Sequence, residues 1–175
     1  MIEQKTYHET VLEAAKEVFE TMIFMEIEPS QETPFFQDAD LLIGSITFKG
    51  DLEGCMVISM AWPCARIIAR NMLALEPEAD ITNGETCDAI GEVSNMVMGS
   101  IKSRLQDTYS SIEVSIPSVI TGKNLTGPNI EGAERISVPI IIDSDQSAVF
   151  SLFYRMRQGD TQFVVSETLA PQTAN

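Results

Sequence analysis

Apolar positions recur every three to four residues across 7–25. Val11, Ala14, Ala15, Val18, Phe19 and Met22 share one face there, which predicts an amphipathic helix. The stretch 26–40 holds Pro29, Pro34 and several acids and reads as a loop. Alternation then takes over. Ile46 and Phe48 alternate with polar residues up to a turn at Gly50 and Asp51, and Met56, Ile58 and Met60 alternate on the return. Pro63 suits the first turn of a helix, which runs to about Leu75 and stops before Pro77. Thr82 or Asn83 caps a longer helix reaching Arg104 or Gln106, with Glu85 three residues after Thr82 as in a capping box.

Residues 112–116 read as a strand, and 121–132 as a loop rich in Gly and Asn. Ile136, Val138, Ile140 and Ile142 alternate, with Pro139 among them, so that strand is expected at an edge or bulged. A turn at 143–146 leads into a strand over 149–156. Residues 163–165 add a short strand, and the last residues form a loose tail. The order is helix, hairpin, helix, long helix and further strands, and the second half loosely repeats the first. It predicts an α/β two-layer domain with an antiparallel sheet packed on long helices and a possible internal duplication. The 175 residues suffice for one such domain, with a core over about 7–166 and a tail over 167–175.

Charge narrows the function. Eleven Lys and Arg against 26 Asp and Glu leave a net charge of -15, which handicaps binding to nucleic acid or anionic membranes and favours a partner with a cationic contact surface. Cys55, Cys64 and Cys87 fit no zinc or CxxC spacing and read as reduced thiols. Residues 1–10 lack a signal-peptide pattern, and no apolar run approaches the ~18 residues of a membrane span, so a cytoplasmic protein is expected. His8, the single histidine, lies near the start and reads as a surface residue, which disfavours histidine metal sites and Ser-His triads. No metal site is expected in this chain.

The long helix carries the chemistry. On a wheel of about 100° per residue, Ile90, Val93, Val97 and Ile101 form a buried stripe flanked by Cys87 and Leu105. Asp88, Glu92, Asn95 and Gly99 fall on the opposite face. Glu92 and Asn95 are neighbours at i, i+3. Gly91 and Gly99 each cost about 1 kcal/mol in a helix interior relative to Ala, which suggests a need for close packing or access. By itself an acid and an amide on an exposed helix face reads as solvated surface.

Those residues also match a longer pattern. Asp88, three residues, Glu92, two residues and Asn95 are followed, after the 21 residues 96–116, by Pro117. That spacing resembles the motif of the CheC, CheX and FliY phosphatases of bacterial chemotaxis. The text of 89–99 looks like the family's signature helix, and the hairpin of 46–50 into 54–58 resembles its preceding strands. The resemblance spans about 10–157. CheC-like members carry two such motifs. Here the first helix reads Glu17-Val18-Phe19-Glu20, with Glu where the amide would stand, so the single-motif CheX arrangement is implied. A homodimer is implied by resemblance only, with the strand 136–142 one candidate edge.

The resemblance implies a function: hydrolysis of the aspartyl phosphate of a CheY-like receiver domain, with Mg²⁺ supplied by that partner and no cofactor bound by this chain. Asn95 would orient the attacking water, as the water-positioning Gln does in small GTPases, and Glu92 would contact the receiver's active-site Lys. Asp88 would support the helix or touch the partner, and Met96 would be partner contact or core edge. Gly99 would leave room for approach, and Pro117 would shape the strand end beside the helix. Trp62, Phe35 and Phe36 read as packing residues. Two other classes stand beside the enzyme. One is a non-catalytic module of the same fold docking on a flagellar switch or receiver. The other, weaker, is a metal-dependent hydrolase using acids such as Asp143 and Asp145, which a turn would hold anyway.

Overall fold

The structure, a computed structural model, describes residues 4–34, 36 and 38–156. The strand expected over 163–165, the tail and Phe35 lie outside the described residues. In chain order the elements are α1 (Gln4–Val18), β1 (Ile27–Pro29), β2 (Asp40–Gly50), β3 (Leu52–Ala61), α2 (Trp62–Met72), α3 (Asn83–Leu105), β4 (Ile112–Val114), β5 (Ser118–Lys123), β6 (Glu134–Ile142) and β7 (Gln146–Met156). All strands join one antiparallel sheet in the order β1-β6-β7-β3-β2-β4, with β5 also on β2. This is the antiparallel α/β arrangement that the element order predicts.

The sheet is a palindrome of the two halves. Exchanging β1, β2 and β3 with β5, β6 and β7 turns β1-β6-β7-β3-β2-β5 into its own reverse. Each half is a helix, a short strand and a hairpin. Each short strand pairs with the hairpin of the other half, β1 on β6 and β5 on β2. The two hairpins meet at β3 and β7, with Met56 opposite Leu152.

Side-chain alternation divides the sheet into a helix face and a back face. Leu42, Ile46, Met56, Ile58, Val138, Ile140, Phe150 and Leu152 join α1, α2 and α3 in the main core. Ile43, Cys55, Val57 and Phe153 face the other way, against Ile130 and Leu125 of the β5–β6 connection. Burying both faces explains the unbroken apolar run at 41–43, which alternation alone does not detect. Burial raises the Cys55 thiol to about 11 and the Cys64 thiol to about 12. All three cysteines are free.

Several expectations are corrected. The first helix does not run evenly to Met25. It is α-helical to Val18, makes a π-helical turn over Phe19–Ile23, and ends at Phe24 with a left-handed φ of 60°. The wider turn shifts the apolar face by one residue, so Ile23 is buried while Met22 is 53% exposed. His8 lies within α1, half-buried. The presumed loop 26–40 contains β1. The strand expected over 112–116 stops at Val114, and the presumed loop at 121 is the second half of β5. Pro139 neither bulges β6 nor puts it outermost. Its register with Val149 is unbroken, and β1 covers Ile140 to Ile142, so the proposed dimer edge is partly occupied. Pro139 accepts from Ser30 N–H at 2.9 Å, so its carbonyl and its missing N–H both face the β1 side just past the end of that strand, and no bond to β7 is lost.

At the other end, α1 is tied down by phenols. Tyr7 and Tyr109 share a hydrogen bond between hydroxyls. The rings of Tyr7 and Tyr154 lie 4.3 Å apart, and Tyr154 donates to Glu134 at 2.8 Å. Burial first, and these contacts second, push the Tyr7 and Tyr154 hydroxyls well above the usual phenol range. Unfolded tyrosines ionise near pH 10 while these stay neutral when folded, so their contribution is intact below about pH 10 and is lost as pH rises beyond it. Denaturant midpoints measured from pH 8 to 11 should therefore fall above pH 10, and less steeply in Tyr7→Phe/Tyr154→Phe than in the unsubstituted chain.

Candidate functional site

The site is built on α3. Thr82 caps it in a reciprocal box: Glu85 N–H donates to Thr82 Oγ1 at 3.2 Å, and Thr82 N–H donates to Glu85 at 2.9 Å. Ile90, Val93, Val97, Ile101 and Leu105 are buried, as the wheel predicts, and Cys87 is half-buried. Ala89, Gly91, Ser94 and Met98 are buried too, so the covered stripe is wider than expected.

One contact sets how deeply α3 sits. A Cβ on Gly44 of β2 would lie 2.6 Å from Ser94 Oγ and 3.3 Å from Ile90 Cγ2. A side chain at this point would have to displace Ser94 or lift the helix. Ser94 Oγ donates to the Ile90 carbonyl at 2.9 Å, so its hydroxyl is satisfied while buried. The sequence reading missed Gly44. Its signal was a glycine inside a strand pattern, which marks close backbone approach. Gly91 faces the sheet edge, where an added Cβ would meet Val119 at 3.6 Å and Pro117 Cγ at 3.7 Å, ordinary contact distances. Pro117 therefore flanks the helix beside Gly91.

With that face seated, the opposite one is presented. Asp88, Glu92, Asn95 and Gly99 are exposed, and Met96 is half-buried against the core. Glu92 and Asn95 stand one turn apart on the same outward side. No hydrogen bond or ion pair engages either side chain among the described residues. An added Cβ on Gly99 would meet nothing within 4 Å. The structure thus gathers Asp88, Glu92, Asn95 and Gly99 on one ridge, with Met96 beside it and Pro117 at its flank. Trp62 is half-buried against the core and Phe36 half-buried, consistent with packing. Asp143 accepts from Glu26 N–H at 3.0 Å and so ties the β6–β7 turn to the residue before β1.

The corresponding helix of the first half differs. Glu17 accepts from Ser100 Oγ at 2.6 Å and from Arg104 at 2.8 Å, and these two bonds lower its pKa. Its carboxylate is consumed by α3 rather than offered outward.

A model of the family described as chemotaxis phosphatase CheX matches residues 42–141, which include the whole of β2 to α3 except its first two residues and most of β6. The chain belongs to the CheX family. Among solved structures, the chemotaxis protein CheX of Vibrio vulnificus is 25% identical, with a TM-score of 0.72 over 86% of this chain and 99% of that one. A CheC-like superfamily protein from Shewanella sp. PV-4 is 25% identical, with a TM-score of 0.71 over 89% and 99%. The Borrelia burgdorferi CheX solved in a CheX–CheY–BeF3–Mg²⁺ complex is 23% identical, with a TM-score of 0.66 over 85% and 97%. No curated protein matches significantly. Among the described residues no helix is long and apolar enough to cross a membrane.

Gly44 is the packing prediction. Gly44→Ala should lower stability by about 1–3 kcal/mol, because the methyl displaces Ser94 or lifts α3. Chemical denaturation checks this, and the penalty should shrink when Ser94→Ala is already present.

Proposed function

We propose that this CheX-family chain hydrolyses the aspartyl phosphate of a CheY-like receiver by inserting the ridge of α3 into the receiver's active site. The observation that carries the reading is the pair Glu92 and Asn95: exposed, adjacent, unengaged, and flanked by the open position at Gly99. The Borrelia burgdorferi complex supports a CheY-like partner for this fold.

The reaction exchanges one P–O bond for another. Water oxygen bonds to phosphorus, the bond to the receiver's aspartate breaks, that carboxylate leaves, and the water proton ends on the phosphate. Such transfer needs positioning and charge balance more than covalent help. Asn95 accepts a hydrogen bond from the water through its carbonyl and donates through its amide, holding the oxygen in line. Glu92 offers a carboxylate to the receiver's lysine, fixing the depth and angle of the inserted helix. Mg²⁺ is the receiver's contribution and balances charge on the phosphoryl oxygens.

Phosphate release from a phosphorylated CheY-type receiver tests the roles. Asn95→Ala should bind with unchanged affinity yet lose on the order of a hundredfold in rate, the scale of removing one positioned polar group from a transition state. Glu92→Ala should weaken both affinity and rate. Undiminished release by Asn95→Ala would overturn the role of the amide, and binding without acceleration by the unsubstituted chain would leave a docking module. Gly99 gives a contrast of opposite sign. Gly99→Leu should raise stability by up to about 1 kcal/mol through helix propensity while lowering kcat/KM, because its side chain fills the approach.

A further inference from the structure

We infer that Ile116 is a docking residue, an apolar contact that the partner covers when α3 is inserted; this rests on the receiver reading above. Ile116 is 87% exposed, more than any other large apolar residue among those described. A lone exposed isoleucine is ordinary. Its setting is not.

The outer strand on β2 is interrupted where Ile116 stands. Val114 lies opposite Phe48 and Ser118 opposite Ser45, so three residues, Ser115 to Pro117, face only Ile46 and Thr47. That extra residue is a β-bulge, a device that re-aims a side chain at a sheet edge. The bulge is held on three sides. Ser115 N–H donates to the Thr47 carbonyl at 2.9 Å. Thr47 N–H donates to Ser115 Oγ at 3.1 Å, and that hydroxyl donates onward to the Ile116 carbonyl at 2.9 Å. Pro117 then packs beside Gly91, the residue before Glu92. These bonds anchor the bulge, Pro117 holds the chain beside α3, and the Ile116 side chain between them is exposed to solvent.

A domain that admits the ridge also meets this flank. Interfaces of standard size bury about 800 Å² on each partner, far more than two side chains occupy. The ridge itself is acidic and amide, carried by Asp88, Glu92 and Asn95. Ile116 supplies the apolar, charge-free contact that such interfaces concentrate near their centre. The occupant is therefore the receiver domain, with an apolar rim beside its phosphorylated pocket.

The probe is a CheY-type receiver activated with beryllofluoride and Mg²⁺ for affinity, and its phosphorylated form for turnover. Ile116→Ser should raise Kd and KM about tenfold with kcat within twofold, and Ile116→Leu should restore both. Asn95→Ala has the opposite signature, a fall in kcat at constant Kd. Thermal unfolding of Ile116→Ser should match that of the unsubstituted chain, since an exposed side chain is exchanged. Unchanged Kd and KM for Ile116→Ser, in a preparation whose unsubstituted chain releases phosphate, would overturn this inference alone. No binding and no release by the unsubstituted chain would overturn the receiver reading and this inference with it.

Discussion

The seating of α3 on β2 at Gly44 is the constraint on which the site depends. A helix has one rotation about its axis that buries Ile90, Ser94 and Val97 together, and the missing Cβ of Gly44 admits that rotation at short range. Once it is set, no freedom remains over which side chains look outward. Asp88, Glu92, Asn95 and Gly99 are displayed because the turn between them is consumed by the sheet. Preorganisation of the polar pair is thus a consequence of the packing beneath it.

The palindromic sheet gives the chain two comparable helices, α1 and α3, but only α3 presents an acid and an amide that nothing else among the described residues engages. The halves are interlocked by exchange of their short strands, so neither half has a complete sheet alone. Where the helices touch, Glu17 of α1 is drawn into Ser100 and Arg104 of α3. An exposed ion pair of this kind adds little stability. Its larger effect is to occupy the carboxylate that would otherwise be offered to a partner. One helix has become a brace for the other.

The edge beyond β2 completes the surroundings. Pro117 cannot donate to a ladder, and the bulge that contains it removes the need. The same interruption brings the proline beside Gly91 and turns Ile116 outward. A flat, continuous edge strand here would expose pairing groups beside the ridge. The bulge blunts that edge and shapes the flank at once.

Local periodicity made much of this legible. The cap at Thr82, the buried stripe of α3 and the outward face with Glu92 and Asn95 all follow from spacing within a single helix, which neighbours modify little. The antiparallel hairpins were readable from alternation for the same reason. Features that turn on one residue more or less were not. The π-helical turn that expels Met22, the bulge at Ser115 to Pro117, and β1 and the second half of β5 in segments read as loop depend on partners far away in the chain. So does the value of Gly44, which is a weak strand residue until a helix lies across it. The chain therefore specifies the chemical identity and the common face of its site through 3.6-residue periodicity. The depth, flank and uniqueness of that site come from pairing and packing between distant segments, because those contacts carry no periodic imprint in either segment alone.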